Sequence, residues 1–114
     1  MSNSFVLSPE DLFLGSDQVF EVSVPLEILR PLDPPGDSES ATPIVQLRPL
    51  TIGTFQLIMK AARQDPGLVP LLMIKESLVQ PVLNLEQIKQ LHLGLVNFLI
   101  EQIREISGLT GKKN

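Results

Sequence analysis

A chain of 114 residues, 43% hydrophobic and 19% charged, has enough apolar mass for one packed domain and is too apolar to stay disordered. Its net charge of −4, with no basic block beyond Lys112 and Lys113, lacks the cationic face on which nucleic acid binding depends. The absence of cysteine removes disulfides, thiolate chemistry and cysteine-ligated metals, and fits a cytoplasmic setting.

Residues 1–18 form an N-terminal segment. Ser8, Pro9, Glu10 and Asp11 read as a helix start, with a hydroxyl cap, proline in the first turn and acids beside the positive end of the helix dipole. Leu12, Phe13 and Leu14 would complete a short turn ended by Gly15; Phe5, Leu12 and Phe13 make the segment a docking candidate, the alternative being a floppy tail with a few apolar residues. The segment has no positive n-region and no long apolar core, so no signal peptide is expected. The apolar runs at 68–74 and 91–100 are too short to span a bilayer.

The domain proper is expected over 19–109, with a β-hairpin at 19–48, helices from 51 to 107, and a tail at 110–114. Residues 19–24 alternate and are rich in β-branched side chains, which predicts a strand. Pro25 interrupts it, and Leu26–Leu29 would continue after a bulge or as an edge strand. The stretch 31–43 holds four prolines, a glycine and three acids, which predicts an exposed loop. Limited proteolysis should therefore cut first within 31–43; cleavage confined to the helices would contradict the hairpin. Residues 44–48 alternate again, closing at Pro49, and Thr51 is placed to cap a helix starting at Ile52.

In that first helix Phe55, Ile58, Met59 and Ala62 share a face, and Asp65, Pro66 and Gly67 end it. A second helix is expected from Leu68 to Val79, stopped by Pro81. Asn84 and Gln87 form a capping box for a long third helix from Leu85 to Ser107, terminated by Gly108. The fold class is thus α+β, an N-terminal β-hairpin followed by three helices.

The residues that carry chemistry are few. The single histidine, His92, falls on the apolar arc of the third helix, where a core or interface role is expected rather than catalysis. Glu10 and Asp11 have a structural reason as first-turn acids. Asp33, Asp37 and Glu39 lack the density and glycine placement of a calcium loop, and the glycines match no phosphate-binding pattern. No enzyme, cofactor or metal site is expected.

The positive signal is apolar excess. As one continuous helix, 85–107 would present an apolar arc of roughly 220°, against ~100–140° for an ordinary surface helix. Leu93, Val96 and Ile100 on one flank, with Leu72 and Met73 on the second helix, are the candidate partner-binding residues. Ile88, Leu95, Leu99 and Ile106 are the candidate core. Self-association is expected when the chain is alone.

Three stretches, VQLRPLTIGTF (45–55), LHLGLVNFLI (91–100) and EISGL (105–109), together resemble the small tail assembly chaperones of tailed phages and of phage-like contractile injection systems. The resemblance spans roughly 19–109, and Thr54 stands where that family usually carries an acid. It implies a non-enzymatic assembly factor that holds a long helical tape-measure protein and recruits tube subunits. The alternative is a small baseplate or tube-associated structural subunit. Either implies protein partners, an oligomer, and a place in the cytoplasm or in an assembled tail-like particle. Neither involves nucleic acid or membrane.

Overall fold

The computed structural model describes residues 3–31 and 42–109. The proline-rich loop, from 32 to 41, and the whole expected tail at 110–114 lie outside the described residues. The fold is mixed α/β, with a three-stranded antiparallel sheet, six α-helices and one 310 turn among the described residues.

Strands β1 (Phe20–Ser23) and β2 (Ile44–Leu47) pair antiparallel, with Phe20 opposite Leu47 and Val22 opposite Val45. Phe20, Val22 and Val24 point inward while Glu21 and Ser23 stay exposed, as the period of two requires. The hairpin expected at 19–48 therefore pairs as its alternation suggests. Leu26–Leu29 does not extend it: these residues form a helical turn, α2. The carbonyl of Pro25 accepts from the N–H groups of Ile28 and Leu29, each at 3.0 Å, and Arg30 donates to the Leu26 carbonyl at 2.8 Å. Proline can precede a helix because it gives up no hydrogen bond there, and Leu-Glu-Ile-Leu contains good helix formers. The consequence is tertiary, because α2 packs on the C-terminal helix α6 (Leu93–Ile106).

Helix α3 (Ile52–Ala61) starts as expected: the Thr51 hydroxyl accepts from the Thr54 N–H at 3.2 Å. Ile58 and Ala62 are buried, but Met59 faces solvent, so the inward face is narrower than expected. Helix α4 (Leu68–Ser77) is shorter than expected, and Leu78–Gln80 is a third strand, β3, paired antiparallel with β2. The switch occurs where Ser77 leaves the helix to bond with Arg48. Ser77 Oγ donates to the Arg48 carbonyl at 2.5 Å, and the Arg48 N–H donates to the Ser77 carbonyl at 2.9 Å. Arg48 Nε adds a bond to the Glu76 carbonyl at 3.1 Å.

The long third helix is two helices. Asn84 and Gln87 do form the capping box, but the helix they start, α5, covers only Leu85–Ile88. After a bend, His92 begins α6: its Nδ1 accepts from the Leu95 N–H at 3.2 Å. His92 is thus an exposed capping residue, not a core histidine. A Cβ on Gly94 would lie 3.3 Å from the His92 ring, so glycine leaves room for that cap. Helix α6 closes as expected at Gly108 (φ 75°), with Leu109 donating to the Arg104 carbonyl at 2.7 Å.

The core gathers Leu47 from the sheet with Ile58, Met73, Ile74, Ile88, Val96, Leu99 and Ile103 from α3, α4, α5 and α6. Two serines lock the strand-to-helix junction onto it: Ser77 through Arg48, and Ser107, whose Oγ accepts from the Leu50 N–H at 2.9 Å. Removing either hydroxyl should cost about 1–2 kcal/mol, because each leaves a part-buried backbone group short of a partner. Urea unfolding of Ser77→Ala and Ser107→Ala, with unchanged m-values, checks this.

Candidate interaction surface

The five residues suggested by apolar excess do not form one surface. Val96 and Met73 belong to the core, Leu72 and Ile100 are half-buried against it, and Leu93 is 78% exposed at the start of α6. Of the expected core, Ile88 and Leu99 are buried while Leu95 and Ile106 are half-buried. The wide apolar arc of α6 is covered from within the chain, by α4 and by α2. A strand at 26–29 would leave α6 without the cover that helix α2 supplies.

The uncovered apolar surface lies elsewhere, first on the N-terminal arm. Phe5, Val6, Leu7, Leu12, Phe13 and Leu14 are each between 49% and 96% exposed. Helix α1 (Pro9–Phe13) forms here for local reasons. Ser8 Oγ accepts from the Asp11 N–H at 3.3 Å, and Asp11 Oδ2 accepts from the Ser8 N–H at 3.0 Å. Gly15 does not end the turn; a 310 turn, Leu14–Asp17, carries on, tied by Ser16 Oγ donating to the Phe13 carbonyl at 2.9 Å. Every residue from Asn3 to Val19 except Ser8 and Ser16 is exposed.

Hydrogen bonds from the Ser8 backbone, then from its hydroxyl, hold the Asp11 carboxyl below its ordinary value of 3.8. A depressed carboxylate stabilises the capped turn above its unfolded value, and that contribution disappears as pH falls through the folded one. The amide resonances of Ser8 and Asp11 should therefore move together toward unstructured values on acidification below the ordinary carboxylate range. In Asp11→Asn the same titration should be absent.

Helix α3 is the second exposed apolar element. Ile52 and Leu57 are 79% and 67% exposed. Leu57 stands over a shallow groove between α3 and α4, lined by Thr54, Leu57, Ile58, Ala61, Leu72 and Glu76. Ile52 borders a second groove on the other flank, with Leu50, Phe55 and Leu109. Sequence reasoning passed over both residues, although each lies off the Phe55–Ile58–Ala62 face on a helical wheel. That displacement was the available signal.

The described residues contain no cluster of three or more His, Asp or Glu able to hold a metal, and no buried side-chain polar atom without a hydrogen-bond partner. His92 and Asp11 are occupied as caps. Among the described residues no helix is long and apolar enough to cross a membrane. No family model, curated protein or solved structure matches this chain.

Proposed function

We propose that the protein is a non-enzymatic, protein-binding assembly factor. The observation that carries this reading is the arm: six large apolar side chains between Phe5 and Leu14 that nothing in the described chain covers. Monomeric proteins rarely leave such a contiguous patch in water, and where they do it marks an interaction site.

The particular machine is suggested by VQLRPLTIGTF at 45–55, which resembles the phage tail assembly chaperones. On that reading the partner is a long helical tape-measure protein, kept soluble until tube subunits polymerise around it. The setting is the cytoplasm or an assembling tail-like particle, with no cofactor, nucleic acid or membrane involved. A permanent baseplate or tube-associated subunit would use the same surface differently. Co-purification with a co-expressed tape-measure protein, followed by mass spectrometry of finished particles, separates the two. A chaperone is captured with the tape measure and is absent from the particle, while a structural subunit remains in it. Failure to co-purify with tape-measure, tube or baseplate proteins would refute both.

A further inference from the structure

The joint between α5 and α6 rests on one ring and its proton. His92, the only histidine of the chain, is exposed and caps α6 through Nδ1, which accepts from the Leu95 N–H at 3.2 Å. An amide N–H can donate only to an unprotonated ring nitrogen, so this contact puts the single ring proton on Nε2. Protonating the ring places a hydrogen on Nδ1 too, and the acceptor becomes a donor facing another donor. It also sets a positive charge at the positive end of the α6 dipole. Both effects oppose the capped turn.

No ion pair offsets them among the described residues. Helix α6 follows α5 and packs on α4 and α2. The charged residues on and beside these elements are Glu27 and Arg30 at α2, Lys75 and Glu76 on α4, and Glu86 and Lys89 at α5. Glu101, Arg104 and Glu105 lie in the second half of α6 itself. Glu76 is 4.0 Å from Lys75 and Glu86 is 3.6 Å from Lys89, and no carboxylate of this set pairs with His92. The backbone cannot take over the cap, because the His92 carbonyl already accepts from the N–H groups of both Leu95 and Val96, each at 3.1 Å.

From these features we infer that the α5–α6 junction is a pH-sensitive joint, in which neutral His92 holds the first turn of α6 and protonated His92 releases it. The cap favours the neutral ring in the folded chain. Its contribution is therefore whole on the alkaline side and is lost as acidification protonates the ring. Histidine changes charge between about pH 5 and 8, and with no cysteine present His92 is the one side chain of an ordinary kind to do so here. The released turn is Leu93–Leu95. Leu93 is already in solvent, so the side chain freed is that of Leu95, half-buried against the core, and buried Val96 marks where fraying stops. Acidification thus bares a leucine at the head of α6. This joint stands independently of the tail-assembly reading.

Nuclear magnetic resonance of the full chain labelled with nitrogen-15 tests it. At about pH 8 the ring nitrogens of His92 should show a protonated Nε2 and a bare Nδ1. On titration to about pH 5.5 the Leu95 amide should move in step with the ring. In His92→Asn, whose side chain caps a helix without titrating, that amide should stay in place over the same range. Between the two conditions the wild-type melting temperature should fall at least ~3 °C further than that of His92→Asn, as loss of one cap requires. The inference is overturned by a proton on Nδ1 at the higher pH, by a Leu95 amide that ignores the ring's titration, or by a smaller gap between the two melting temperatures. The first two readings need the wild type alone. Because no tail protein enters this experiment, its failure leaves the proposed function untouched.

Discussion

Leu99→Glu is expected to unfold the domain outright. Leu99 is 3% exposed at the centre of the buried face of α6, between Val96 and Ile103 in the core, with no cationic side chain among the residues that form it. A carboxylate there would be buried unpaired, or would have to take up a proton, and either route costs at least ~4 kcal/mol. A domain of this size has roughly 5–15 kcal/mol in total, so most or all of it goes. Ile100→Glu, one residue on and half-buried at the edge of the cluster, should cost only about 1–2 kcal/mol, because the carboxylate can reach water. Leu93→Glu should cost almost nothing, since its side chain is already in solvent. Thermal melts by circular dichroism rank the three. If Leu99→Glu and Ile100→Glu melt alike, the α6 core is wrongly centred.

The features that could be read from the sequence are those decided within a few residues. Ser8 with Asp11, Thr51, Asn84 with Gln87, and Gly108 each bring cap and capped group into one local segment, and all four act as expected. The β1–β2 hairpin was legible because strict alternation on both strands leaves one register that buries Phe20, Val22, Val45 and Leu47 together. Strand β3 was not. Leu78-Val79-Gln80 is too short for period two to separate from a last helical turn, and its partner lies some thirty residues earlier in the chain. The Arg48–Ser77 bonds and the pairing with β2, all of them tertiary, take those residues out of the helix.

The break between α5 and α6 was hidden for a different reason. Histidine is not among the favoured N-cap residues, and the apolar residues on either side of it continue a plausible helical pattern. Treating 85–107 as one helix assigned a single rotational phase to two segments, and so put His92 and Leu93 on an apolar arc that α6 does not present to the core. The arm's composition was visible, but its exposure depends on what the rest of the chain fails to place over it.

The second large effect concerns α3 and α6 together. Ile103 is completely buried, whereas Met59, which the helical pattern puts on the inward face, is 46% exposed. Truncating Ile103 to alanine removes three carbons from a site walled by α4, α6 and the sheet, leaving a cavity that the surrounding helices can close only in part. The expected loss is about 3–4 kcal/mol, the sum of lost transfer energy and unfilled space. At ~4–8 °C per kcal/mol for a domain near this size, the melting temperature should fall by at least roughly 12 °C. Met59→Ala opens no cavity, and alanine has the better helix propensity, so its stability should stay within ~0.5 kcal/mol of the parent. Denaturant midpoints for the two variants, read beside the parent at constant m-value, decide the matter. Equal losses at both positions would mean that α3 is rotated about its axis, with Met59 inward. The exposed α3–α4 groove beside Leu57 would then have to be redrawn.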